Sequence, residues 1–199
     1  MAVPPALTTD GYEIQFGTNH MGHALLIKLL LPLLQQTAAK PGADVRIVLL
    51  SSLAYQGVNS LPFAKLKTPQ SIPYLGGFAC WVRYFQSKLA NVLYAKQLAK
   101  RYPEITTVAI HPGVIHTELV TNLGLFQRLF IYAANLGQSL THEQGVYNAL
   151  WASTWDKKDI QNGEIYLPVG KVGEKTKGTT NEELEKKLWD WTQKELEAY

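Results

Sequence analysis

The sequence predicts an α/β domain built on a parallel sheet, and three observations carry that reading. Short β-rich apolar runs alternate along the chain with longer stretches of helical period. Those runs are nearly continuous rather than apolar-polar alternating, as strands covered on both faces require. Pro-Gly pairs or capping residues separate one element from the next. Strands that alternate with helices pair in parallel because each return crossover needs a helix. Residues 1–199 read as one such domain, without an internal repeat.

The elements follow in order. Asp10 with Glu13 forms a capping box that opens a helix over 12–36. Ile14, Phe16, Met21, Leu25, Leu26 and Leu29 are among its apolar positions, and its C-terminal end reads as more fully buried. Pro41-Gly42 breaks the chain, and 44–52 is a strand expected to be buried on both faces. Residues 53–77 lack a period and read as a long loop, a kind of segment that often carries function. A second helix covers 80–101, with Tyr84, Leu89, Val92, Leu93 and Leu98 among its apolar positions, and Pro103 ends it. Residues 106–111 form a second buried strand, cut by Pro112-Gly113. An amphipathic, partly helical excursion covers 117–137. Thr141 with Gln144 is a further capping box, opening a helix to about 153. Residues 163–168 are a third short strand. Thr180 with Glu183 caps a last helix, with Leu184, Leu188 and Trp191 on one face.

Composition removes several function classes. The chain has 199 residues, 46% of them apolar and 18% charged, enough for a core and too apolar for disorder. A net charge of +3, with its lysines scattered, makes no case for nucleic acid. The single cysteine, Cys80, cannot form an internal disulfide and fits a reducing compartment. No secretory signal is visible. The most apolar stretch, 24–34, contains Lys28 and Pro32 and is too short to span a bilayer. A soluble cytoplasmic domain is the expectation.

Candidate chemistry gathers at the strand ends. Ser51 and Ser52 close the first strand, and in open α/β sheets the carboxyl ends of strands face the ligand crevice. The second strand ends there too, in His111-Pro112-Gly113. Between them Tyr84 and Lys88 stand one helical turn apart on one face. A free phenol, with a pKa near ~10, is too weak a base at neutral pH, and a neighbouring cation favours phenolate. Such a pair can trade a proton with an alcohol or ketone while a serine hydroxyl holds the oxygen.

Plainer readings compete with this one. Ten tyrosines in a lysine-rich chain give about one Tyr-x-x-x-Lys by chance. Ser-Ser and Pro-Gly usually mark turns. His20 and His23 have a spacing that could ligate metal, but without a third candidate nearby they read as packing or capping residues, and no metal site is expected. Trp81, Trp151, Trp155, Trp189 and Trp191 read as packing rather than a base-stacking platform. No Gly-x-Ser-x-Gly elbow is present, against a serine hydrolase.

The arrangement outweighs any single motif. A strand-end Ser, a helix-borne Tyr-x-x-x-Lys and a strand ending in Pro-Gly, in this order, resemble the short-chain dehydrogenase/reductase superfamily. The nearest branch is that of the retinol dehydrogenases and WW-domain-containing oxidoreductases. Four stretches carry the likeness: 9–23 (TDGYEIQFGTNHMGH), 46–54 (RIVLLSSLA), 84–93 (YFQSKLANVL) and 111–119 (HPGVIHTEL). The resemblance runs from about residue 9 to 170. It implies the C-terminal part of a Rossmann-like doubly wound parallel sheet with flanking helices. It also implies an alcohol-carbonyl oxidoreductase that uses NADP, slightly preferred, or NAD.

By the same resemblance Tyr84 is the general acid/base, and Lys88 lowers its pKa and holds the nicotinamide ribose hydroxyls. Ser52 positions the substrate carbonyl, and Asn19 supports a proton-relay water. Pro112, Gly113, Ile115 and Thr117 meet the nicotinamide end of the cofactor. Residues 118–137 form the substrate lid, whose Leu123, Leu125, Phe126, Leu129, Phe130 and Tyr132 suit an apolar or aromatic small-molecule carbonyl or alcohol. The two long helices imply a homodimer.

One family feature is missing from the sequence. Members open with a strand, a Gly-rich turn and a helix whose N-terminus takes the cofactor's phosphates. The adjacent glycines here, Gly76-Gly77, follow a loop rather than a strand, and the family's Asn-Asn-Ala-Gly segment is absent. The chain is expected to start just after that segment, with roughly 90 residues of cofactor-binding half gone at ~30 per βα unit. Met1 would then be an internal methionine of a longer enzyme. Such a chain would bind cofactor poorly and expose an apolar sheet edge. The alternatives are an inactive fragment of that enzyme, or a non-catalytic binding protein of the same descent.

Overall fold

The computed structural model describes residues 1–71, 73–115 and 140–199. A short helix α1 (Ile14–Phe16) runs through a π-turn (Gly17–Met21) into α2 (Gly22–Ala38). Strand β1 (Arg46–Leu50), helix α3 (Ala79–Arg101), strand β2 (Thr106–Ile110) and helix α4 (His142–Thr154) follow. Strands β3 (Ile165–Leu167) and β4 (Lys171–Val172) precede the last helix, α5 (Glu182–Glu195). The expected alternation of helices and strands is present, and the sheet order is β1-β2-β3-β4. β1 pairs with β2 in parallel with Arg46 opposite Thr106, and β2 pairs with β3 in parallel with Ala109 opposite Ile165. β3 and β4 are antiparallel, turning back at Gly170 with φ of +68°, and two residues were too few for β4 to be visible in sequence.

Successive strand residues point to opposite faces, so the sheet sorts its side chains between two cores. Ile47, Leu49, Ala109 and Ile165 join Leu89, Leu93, Leu98, Leu184 and Leu188 in a large cluster under α3 and α5. Val108, Ile110 and Tyr166 face the other way, onto Ala152 and Ile160, with Trp151 packed alongside. Helices therefore cover both faces of the β2 region, as a doubly wound sheet requires.

Several sequence expectations are corrected. β2 is buried throughout, but β1 is buried on one face alone, because Leu50 is exposed and Arg46 and Val48 are half-covered. Arg46 uses that space to donate to the Ala152 and Trp155 carbonyls at the end of α4. The end of α2 is exposed rather than buried: Leu26, Leu29, Leu30 and Leu33 all face outward. Glu13 caps α1 on the Phe16 N–H at 2.7 Å, while Asp10 sits in a turn around Gly11 and takes no part. Asn181, not Thr180, caps α5 on the Leu184 N–H at 2.9 Å. The Thr141–Gln144 capping box forms as expected. Residues 53–77 hold short 3₁₀ turns, among them Leu53–Gly57, which packs under α3.

Trp81 is buried, Trp189 stacks on Tyr94, and Trp191 packs edge-on to Phe16, consistent with packing roles. Among the described residues no helix is long and apolar enough to cross a membrane, and no acidic, His or Cys group is arranged to hold a metal.

Candidate active site

The polypeptide brings three elements together at the carboxyl end of β1. Parallel pairing continues one residue past the strand, where the Ser51 N–H donates to the Ile110 carbonyl at 2.7 Å. Ser51 then turns inward and its hydroxyl donates to the Lys88 carbonyl at 2.9 Å, a bond that ties β1 to α3. Ser52 points the other way and opens the 3₁₀ turn, its hydroxyl accepting from the Ala54 N–H at 3.3 Å. One serine thus ties β1 to α3, and the other presents its hydroxyl to the Tyr84 side of α3.

Tyr84, Ser87, Lys88 and Asn91 recur on α3 at three- and four-residue steps, so they share one face. The half-buried Tyr84 phenol is pushed up in pKa by burial, and the facing Ser52 hydroxyl offsets part of that rise by favouring the ionised form. Lys88 is buried, and loss of hydration pulls its ammonium down to about 8. Its Nζ donates to the Leu50 carbonyl at 3.1 Å and lies 5.6 Å from the centre of the Tyr84 ring. In this geometry the Ser52 hydroxyl is the group that favours the ionised phenol, while the Lys88 ammonium is directed at the backbone of β1.

Asn19 arrives from the π-turn. Its amide donates to the Ser87 hydroxyl at 3.0 Å, which donates onward to the Tyr84 carbonyl at 2.8 Å. Ser87 and Asn91 were not singled out in the sequence, although their helical spacing from Tyr84 was the available signal. His20 is buried between Asn91 and Thr192, and the exposed His23 bonds back to the Asn19 carbonyl, so neither is arranged as a metal ligand.

The turn after β2 closes the site. Gly113 has φ of +93°, a conformation glycine adopts without strain, and a Cβ there would come within 2.3 Å of Leu140. Leu140 in turn donates its N–H to the Val114 carbonyl, and Val114 packs with Tyr84 against Cys80 and Trp81. Pro112 and Gly113 are half-buried at this corner. Ile115 leans against Gly145 of α4, where a Cβ would lie 2.1 Å from its Cδ1. Thr117 and the lid segment 118–137 lie outside the described residues.

A nicotinamide cofactor fits these residues at one end. Among the described residues Lys88 uses one of its three N–H donors, on Leu50, leaving donors for vicinal hydroxyls beside the Tyr84 phenol. Among the described residues the phosphate end of a dinucleotide finds no counterpart, because Gly76-Gly77 lie in a 3₁₀ turn (Pro73–Phe78) rather than between a strand and a helix.

No family model matches the chain. Curated proteins do. A short-chain dehydrogenase/reductase from Armillaria gallica is 36% identical over 200 residues, covering 97% of this chain and 60% of that protein. Human retinol dehydrogenase 12 is 43% identical over 135 residues, covering 65% of this chain and 39% of that protein. Among solved structures, an uncharacterized protein from Mycobacterium paratuberculosis aligns with a TM-score of 0.66 and 26% identity, over 98% of this chain and 63% of the other. An NADPH-bound carbonyl reductase from chicken fatty liver shares the fold, with a TM-score of 0.54 and 23% identity over 87% and 62% of the two chains. The chain belongs to the short-chain dehydrogenase/reductase superfamily. Within it, the likeness extends to retinol dehydrogenases of human and mouse. The chain spans about 60% of the length of the fungal relatives it matches.

Proposed function

We propose that this chain carries the proton-transfer and substrate-positioning residues of an NAD(P)-dependent oxidoreductase that interconverts an alcohol and a ketone or aldehyde. One observation carries the reading: the Tyr84 phenol faces the Ser52 hydroxyl, with the Lys88 ammonium one helical turn away. Burial keeps the phenol protonated at neutral pH, so Tyr84 gives its proton to a carbonyl oxygen in reduction and takes one from the alcohol in oxidation. Ser52 donates to the same oxygen as charge gathers on it. Asn19, through Ser87, holds the turn of α3 that presents Tyr84. Lys88 and Tyr84 hold the ribose hydroxyls, and Pro112, Gly113, Ile115 and Thr117 border the nicotinamide. The cofactor, when bound, supplies or takes the hydride. The printed name of the retinol dehydrogenases specifies an apolar alcohol, which supports an apolar substrate class here.

The test titrates the chain with NADPH and with NADH by tryptophan quenching, then assays aromatic and long-chain aldehydes. Weak but saturable quenching and slow turnover are expected, because the residues named hold the nicotinamide end of the cofactor alone. Tyr84→Phe lowers turnover by at least about 100-fold while quenching persists. Normal turnover in that variant sinks the assignment. Because Lys88 holds its charge below about pH 8, turnover falls as pH rises through that value.

A second reading rests on a different observation. The Leu26, Leu29, Leu30 and Leu33 stripe of α2 faces outward, which suits a binding protein of this descent. A dimer of this chain would use α2 rather than both long helices, because α3 is buried on nearly all sides within its own chain.

A further inference from the structure

Beneath the catalytic face lies a polar chain that the proton-transfer scheme does not use. Asn91 is fully buried on α3, two turns beyond Tyr84. Its amide nitrogen donates to two backbone carbonyls, that of Asn19 at 2.9 Å and that of Leu50 at 3.0 Å. The Leu50 carbonyl is the one that holds the Lys88 ammonium. The Asn19 carbonyl belongs to the π-turn, whose Gly22 N–H reaches back five residues to Gly17, so the helix turns that carbonyl toward α3.

The rest of the chain has its donors and acceptors determined by these two carbonyls. Both need donors, so the NH₂ of Asn91 faces them and both of its hydrogens are used. Its Oδ1 therefore faces His20 Nδ1, at 3.3 Å, and accepts from it. His20, buried and held neutral, then has a lone pair on Nε2, which accepts from the Thr192 hydroxyl at 3.0 Å. Thr192 is itself fully buried on α5. An unbroken directional path runs from α5 through His20 and Asn91 to the carbonyls that seat Lys88 and Asn19.

We infer that Asn91 is a positioning residue of the active site, oriented by His20 and Thr192, and that its amide fixes the Leu50 and Asn19 carbonyls against which Lys88 and Asn19 are set. The inference rests on reading Tyr84 and Lys88 as the proton-transfer pair. It adds that the last helix of the chain bears on their geometry. Residues of three elements that never touch substrate thereby set one cation and one amide, as outer-shell partners do at metal sites.

The test uses the whole chain and needs no turnover. In protein labelled at the lysine side chains and histidine nitrogens, NMR follows the Lys88 titration and the His20 tautomer. Other charges near Lys88 are the Met1 amino group, and the Tyr84 phenol shares its face. The wild type is expected to show the Nδ1–H tautomer of His20. Asn91→Leu keeps the volume but removes an N–H dipole whose positive end points at the carbonyl shared with the ammonium. The Lys88 midpoint then rises by about half a pH unit. His20→Leu produces the same rise, whereas His20→Asn, whose amide can replace the Nδ1–H donor, restores the wild-type midpoint.

An unmoved Lys88 midpoint in folded Asn91→Leu overturns the inference. So does an Nε2–H tautomer in the wild type, a reading that survives even if Asn91→Leu fails to fold. Equal shifts in His20→Asn and His20→Leu overturn the part assigned to His20. If the Lys88 shift appears while Tyr84→Phe keeps full turnover, the catalytic reading fails and the positioning geometry stands.

Discussion

Helices α2 and α3 behave in opposite ways. By sequence α2 is the more apolar, with leucines at 25, 26, 29, 30, 31, 33 and 34, yet it buries Ala24 and Ile27 and leaves Leu26, Leu29, Leu30 and Leu33 exposed. By sequence α3 is mixed, yet Arg83, Gln86, Ser87, Lys88, Asn91 and Gln97 are buried along with its leucines. The difference is neighbours. The sheet, α5 and the Leu53–Gly57 turn all pack on α3, and Lys88, Asn91 and Gln97 find carbonyl or carboxylate acceptors in the sheet and α5. Burial is a property of what surrounds a helix, and polarity alone does not keep a side chain in water once hydrogen bonds replace hydration.

The largest expected effect breaks α3 at its most demanding contact. Arg83 pairs with the fully buried Glu13 at 3.1 Å and also donates to the Val3 and Gln70 carbonyls. Arg83→Ala strands the Glu13 carboxylate and costs about 3–5 kcal/mol in urea unfolding, and adding Glu13→Gln recovers much of that loss. Leu93→Ala, in the fully buried row of the same helix, costs about 2–5 kcal/mol.

A middle-sized effect is pH-dependent. Burial pulls both His20 and His111 from 6.5 down to about 4. The unfolded chain therefore binds more protons between those values, so stability is full above pH 6.5 and falls as pH drops toward 4. Unfolding free energy measured against pH should lose part of that slope in His20→Asn, and a flat wild-type profile would contradict the burial of both imidazoles. The smallest effect sharpens the comparison from the α2 side. Leu29→Glu with Leu33→Glu changes stability by about 0.5 kcal/mol or less. The same pair should abolish any self-association seen in sedimentation, and a large loss of stability would show that the stripe is packed after all.

Much of the site was legible because its residues lie within one helical turn of each other or at strand ends. Tyr84 and Lys88 share a face by spacing alone, and Ser52 falls at the end of a run too β-rich to be missed. Ser87 and Asn91 lie on that same face, but their importance depends on Asn19 and Leu50, distant in sequence and adjacent in space. The Lys88 ammonium's choice of the Leu50 carbonyl could not be read either, since it depends on where α3 lies along β1. The capping box at Thr141 was readable because both partners are local. Those expected at Asp10 and Thr180 failed because a turn at Gly11 and the loop before α5 moved the helix starts.

By itself the sequence determined the alternation of elements, the two parallel strands that end at the site, and the face carrying Tyr84 and Lys88. These follow from periodicity and from the stereochemistry of the chain over a few residues. Only the tertiary structure decided which of two apolar helices was enclosed, which serine turned inward, and which carbonyl each buried donor found. Such choices pit desolvation against hydrogen bonding between groups far apart in sequence, and no local pattern encodes their separation.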